Sequence, residues 1–200
     1  MFKNKIKLIA LDGYGILLSR GYPQTVAVIA KKTGLPEKWL FDVIYKKYFN
    51  QAALKKITQK QAWESAVKEL KLPMSWQALR ALHLGLFKIN QPAFRLAKEL
   101  KKKYKVIMLS KNTRSQFADT KKKLPAVWRE LEAINTWEYN LPKASKETIN
   151  FLCQRYRVKP QEILLADDQA VNLAAAKKMG VKTIFYKNFK QFKKELEKYA

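Results

Sequence analysis

The 200-residue chain has one cysteine, Cys153, one histidine, His83, and 16 Asp+Glu against 41 Lys+Arg. A single cysteine excludes an internal disulfide framework and fits a reducing cytoplasm, where the chain is expected to reside. No apolar run reaches membrane length, and Met1-Phe2-Lys3-Asn4-Lys5-Ile6 has no signal-peptide core, so no membrane partner is expected. Internal repeats and low-complexity segments are missing as well. The shortage of acids leaves a formal charge of +25. Net charge speaks to solubility, steering and non-specific binding rather than to fold. Either it is spread over solvated helix faces, or it meets an anionic partner: a phosphorylated substrate, nucleic acid or another polyanion. At 48% hydrophobic residues the chain has ample material for a core, and its length suits one domain with a modest insertion.

Three short apolar runs stand out. Ile9-Ala10-Leu11 ends in Asp12, Val106-Ile107-Met108-Leu109 ends in Ser110, and Ile163-Leu164-Leu165-Ala166 ends in Asp167-Asp168. Such runs read as strands buried on both faces. In a parallel α/β sheet the carboxyl ends of neighbouring strands meet at one crevice, where ligands bind. Acids and a hydroxyl delivered there by separate strands point to an active site holding a divalent cation.

The spacing predicts strands over Lys5 to Leu11, Lys105 to Ser110, near Ile134 to Glu138, Ile163 to Ala166 and Val181 to Tyr186, alternating with helices. This is an α/β fold: a Rossmann-like parallel sheet with helices on both faces. Between Pro23 and about Phe87 only helical periodicity is found. Thr58-Gln59-Lys60-Gln61 is a capping box, Ser75 and Ser145 are further caps, and Gly34 and Gly180 are helix terminators. The helical block therefore reads as an insertion after the first strand, residues 18–89, within a core of residues 1–17 and 90–200. His83 falls on the apolar Leu79, Leu82, Phe87 pattern and reads as a partly buried structural histidine. Trp39, Trp63 and Trp76 read as core.

The order strand–Asp12, helical insertion, strand–Ser110, a lysine, strand–Asp167-Asp168 resembles the haloacid dehalogenase superfamily over nearly the whole chain. Four motifs in order are far more specific than any one; singly, Asp12 or Asp167 would be a turn residue or cap. The resemblance implies that Asp12 is the nucleophile. The motif lysine is then Lys143, in Leu141-Pro142-Lys143-Ala144-Ser145, and the acid pair is Asp167-Asp168. It further implies Mg²⁺ held by Asp12, the Tyr14 carbonyl and Asp168, with Asp167 behind them. Ser110, Lys111 and Asn112 would bind substrate, a small phosphorylated metabolite such as a sugar phosphate. Lys143 would damp repulsion between Asp12 and the phosphoryl group.

Departures from the pattern leave other activities open. Tyr14 stands where phosphatases of the superfamily carry a second aspartate as acid and base, and Ile16 replaces the usual threonine. Tyr14-Gly15 resembles the metal-independent 2-haloacid dehalogenases, which the acid pair contradicts. An inactive relative that binds nucleic acid or another polyanion is the third reading. The oligomeric state is not legible.

Overall fold

The computed structural model describes residues 5–199 and shows a five-stranded, wholly parallel sheet. Its strands are β1 (Leu8–Asp12), β2 (Lys105–Ser110), β3 (Glu132–Asn135), β4 (Ile163–Asp167) and β5 (Lys182–Phe185), in the order β3-β2-β1-β4-β5. β1 is central and every residue of it is buried. Leu8, Ala10, Ile107, Leu109, Ile163 and Leu165 join one apolar cluster with Ile149, Leu152, Leu173 and Ala176 of the helices Lys146–Tyr156 and Ala170–Lys178. Successive strand residues face opposite sides. The alternate set, Ile9, Leu11, Val106, Met108 and Leu164, is equally buried, so both faces are covered. The helix Gln91–Leu100 buries Ala93, Phe94, Ala97 and Leu100, a stripe at helical spacing.

The chain divides into two compact units. One comprises the sheet: the chain up to Leu18, Ile89–Lys111, and the chain from Leu124 onward. The other is helical and comprises Ser19–Lys88 with Asn112–Lys123. The helix Arg114–Lys123 thus groups with the helices, whereas the sequence reading placed residues 90–200 together. The helical unit contains Gly21–Thr33, a continuous run over Glu37–Phe41, Asp42–Phe49 and Asn50–Ala53, then Gln59–Glu69 and Trp76–Gly85. Its core gathers Tyr22, Val26, Ile29, Leu40, Ile44, Trp63, Ala66 and Leu79.

The caps read from sequence are present. Thr58 and Gln61 form the reciprocal box, Ser75 and Ser145 accept from the third helical amide, and Gly34 is left-handed at φ 74°. Four features differ from what the sequence suggests. The third strand ends at Asn135, because Thr136–Tyr139 turns as a 3₁₀ helix. The segment Asp42–Phe49 is a π-helix, which no local pattern announces. Trp39 is 43% exposed rather than core. His83 is not partly but wholly buried. Cys153 is half-buried, and burial pushes its thiol upward, away from reactivity. Among the described residues no helix is long and apolar enough to cross a membrane.

Candidate active site

β1 and β4 are adjacent and parallel, so their carboxyl ends place Asp12 beside Asp167 and Asp168. All three carboxylates are buried, and one oxygen from each falls within 4.8 Å of the others. Lys143 enters from the loop between β3 and the helix Lys146–Tyr156. Its ammonium lies 2.5 Å from Asp12 Oδ1 and 2.8 Å from Asp167 Oδ2. If all are ionised, three carboxylates against one ammonium leave the cluster two charges short of neutral.

The carboxylates are held differently. Asp167 Oδ1 accepts from the Gln169 backbone N–H at 2.8 Å and from Asn172 Nδ2 at 3.0 Å, while Oδ2 faces Lys143. Two donors thus hold Oδ1, and Oδ2 has only the ion pair with Lys143. Asp12 Oδ1 accepts from the Tyr14 backbone N–H at 3.2 Å as well as from Lys143. Asp12 Oδ2, by contrast, is buried without a hydrogen-bond partner. Leaving a buried carboxylate oxygen unsatisfied is costly, and a hard cation with oxygen ligands would relieve it. The residues present fit a hard divalent cation, since Asp12, Asp167 and Asp168 each offer one carboxylate oxygen to a common point.

Electrostatics agree. Burial raises the Asp12 carboxyl from 3.8 to about 7; Lys143 opposes this, and Asp167 and Asp168 add to it. Folded metal-free Asp12 thus keeps its proton to about pH 7, whereas the unfolded side chain loses it near 3.8. Stability of the metal-free protein contributed by this group falls as pH rises across that window. Mg²⁺ binds the ionised form, so its thermal stabilisation should be larger at about pH 8 than at about pH 5.5. Scanning calorimetry with and without Mg²⁺ checks this.

Gly15 is a site residue that sequence reading did not assign. Its φ is +139°, and a Cβ there would overlap the Asp168 carboxylate. Gly15→Ala should therefore weaken Mg²⁺ binding by about tenfold or more, read by calorimetric titration. Asn172 was likewise unassigned, although it lies in the motif that carries Asp168.

The other expected residues are distributed as follows. Ser110 is buried at the end of β2, next to Gly13: its Cβ lies 3.4 Å from where a Gly13 Cβ would stand. Lys111 follows it, half-buried, with its ammonium pushed downward by burial. Asn112 is buried in the helical unit, where its side-chain oxygen accepts from the Thr113 N–H at 3.1 Å. Tyr14 is half-buried in the turn after β1, with its hydroxyl oxygen buried.

The fold recurs in known structures. An enzyme of the haloacid dehalogenase (HAD) family from Bacteroides thetaiotaomicron, crystallised with magnesium and inorganic phosphate, superposes with a TM-score of 0.69. The match covers 91% of this chain and 94% of that one at 20% identity. The fold is that of the haloacid dehalogenase superfamily. A dehalogenase matches with a TM-score of 0.68 at 20% identity, over 89% of this chain and 83% of that one. An L-2-haloacid dehalogenase matches with a TM-score of 0.66 at 17% identity, over 89% and 82%. In sequence, the chain is 30% identical over 115 residues to mouse bifunctional epoxide hydrolase 2, covering 55% of this chain and 21% of that protein. The chain thus spans about a fifth of the length of this curated relative. No known family profile matches the chain. The common ground among the structural relatives is the fold.

Proposed function

We propose that the protein is a Mg²⁺-dependent hydrolase of small phosphomonoesters that works through an aspartyl-phosphate on Asp12. The observation that carries this reading is the buried trio Asp12, Asp167 and Asp168, with Lys143 bridging Asp12 and Asp167. Mg²⁺, held by Asp12, Asp168 and the Tyr14 carbonyl, would offset the repulsion between nucleophile and phosphate and orient the phosphoryl group. A carboxylate oxygen of Asp12 attacks phosphorus; the bond to the ester oxygen breaks, and that oxygen leaves as an alkoxide or phenolate that takes a proton from solvent. Lys143 favours the ionised form of Asp12 against its burial and faces the developing negative charge. The Ser110 hydroxyl and the amides after it donate to phosphoryl oxygens. Water then cleaves the acyl phosphate and regenerates Asp12, replacing one difficult displacement by two easier ones. Hydrolysis of p-nitrophenyl phosphate or a sugar phosphate, abolished by EDTA and by Asp12→Asn, is the expected result. Wild-type protein inert across a broad phosphomonoester panel with Mg²⁺ would overturn the proposal.

A 2-haloacid dehalogenase is the second reading, favoured by Tyr14-Gly15 and by the dehalogenases among the structural relatives. It predicts halide release from 2-chloropropionate that is indifferent to EDTA. Against it stands the cost of burying three carboxylates together when the ammonium of Lys143 bridges only two of them. Separately, the excess of 25 positive charges supports association with nucleic acid or another polyanion. Binding of that kind falls steeply with salt and ignores base sequence, and retention in high salt would count against it.

A further inference from the structure

The helical unit encloses a polar chain that the chemistry above does not use. His83 is fully buried, packed against the rings of Tyr22 at 4.3 Å, Phe87 at 5.0 Å and Trp63 at 5.1 Å between centroids. Gly21 makes room for it, since a Cβ there would sit 2.8 Å from His83 Cε1. Burial pushes the imidazole down to about 3, so it is neutral, and one ring nitrogen must accept while the other donates.

The partners decide which. The Thr25 hydroxyl donates to the Gly21 carbonyl at 2.9 Å, so at 2.8 Å from His83 Nδ1 its oxygen accepts and Nδ1 carries the proton. His83 Nε2 then accepts from Gln116 Nε2 at 3.0 Å. Gln116 Oε1 accepts from the Tyr22 hydroxyl at 3.1 Å and from Gln59 Nε2 at 2.5 Å. Gln59 Oε1 accepts in turn from the hydroxyls of Thr113 and Ser115. Thr113 closes the circuit by accepting from the Gln116 backbone N–H at 3.4 Å, capping the helix Arg114–Lys123. Every hydrogen bond from Thr25 to Ser115 has a defined direction, and an acceptor at His83 Nε2 sets it.

The chain therefore ties residues 113–116 to three helices far away in sequence, through Tyr22, Gln59 and His83. These residues continue from Ser110 and Lys111, to which the proposed function assigns the phosphoryl oxygens. We infer that His83 is a positioning residue which, through Gln116 and Gln59, holds the segment after the phosphate-binding Ser110–Lys111 in its working conformation. An apolar ring would fill the same cage, but it would leave the Gln116 amide without an acceptor. Buried polar networks specify one arrangement only when every member is satisfied. The consequence for turnover rests on the function proposed above; the positioning itself does not.

Two measurements test it. In ¹⁵N spectra of histidine-labelled protein, His83 should be the neutral tautomer protonated at Nδ1, and protonation at Nε2 would overturn the assignment. Amide exchange over 113–117 should accelerate about tenfold or more in Gln59→Ala and in His83→Phe. His83→Gln keeps an acceptor facing Gln116 and should restore protection, while β1 and β2 amides stay unchanged in all three. If His83→Phe fails to fold, Gln59→Ala decides alone. Unchanged exchange at 113–117 in Gln59→Ala would overturn the inference. With p-nitrophenyl phosphate, Gln59→Ala should lower kcat more than it raises KM. A wild type without turnover would count against the function while leaving the exchange result to decide the positioning.

Discussion

Lys143→Met is expected to destabilise the metal-free protein by about 3–5 kcal/mol, the usual cost of removing one partner from a buried ion pair. The ammonium bridges Asp12 and Asp167, and its side chain is only 14% exposed. Burial pulls the lysine down, but Asp12 and Asp167 outweigh that and hold it above its ordinary 10.5. A base raised in this way stabilises the fold fully below its unfolded pKa and loses that contribution only as pH climbs through the folded one. The wild type thus keeps the full benefit at neutral pH. In the variant Asp12 and Asp167 lose the ammonium that bridges them, so the deficit should be largest at about pH 8 and shrink at about pH 5, as carboxyls take up protons. Urea denaturation in EDTA at both pH values measures it, and added Mg²⁺ should return part of the loss at the higher pH. A deficit below about 1 kcal/mol at both pH values would show the cluster to be solvated rather than buried.

Tyr14→Asp should raise steady-state phosphatase turnover by roughly ten- to a thousand-fold, the ordinary worth of a general base. A phenol hydroxyl is a poor substitute for a carboxylate in taking a proton from water. Tyr14 can donate to a leaving oxygen, so the first step proceeds while the second lags. The wild type should therefore release p-nitrophenol in a burst followed by slow turnover, and Tyr14→Asp should speed the slow phase. A linear trace, together with a variant no faster than wild type, would mean that another group already activates the water.

The central strands were legible because they are buried on both faces. Leu8–Asp12, Lys105–Ser110 and Ile163–Asp167 are near-continuous apolar runs, and their ends mark the site without any knowledge of packing. β3 was harder to place. It is an edge strand, and its first residue, Glu132, pairs with Lys105 and Arg155, while the β-like Trp137 and Tyr139 belong to a turn. Caps were readable because a cap and its partner lie within one turn. The grip of Asn172 on Asp167 could have been suspected from their five-residue separation across a strand–helix turn. The links His83–Thr25, Gln59–Gln116 and Thr113–Gln59 span more than fifty residues each, and no local pattern encodes them. A histidine on an apolar helix stripe was the only trace they left. The sequence also held no sign of what the backbone does at Gly15, where proximity to Asp168 rather than turn type demands glycine.

The account stands most directly on a covalent phosphoryl group at Asp12. Wild-type protein mixed with radiolabelled acetyl phosphate or another reactive phosphomonoester, quenched in acid within the burst and digested, should carry label on the peptide containing Asp12. Labelling should require Mg²⁺ and vanish in Asp12→Asn. Turnover of a phosphomonoester with no acid-stable label on that peptide, or with label that survives Asp12→Asn, would contradict it.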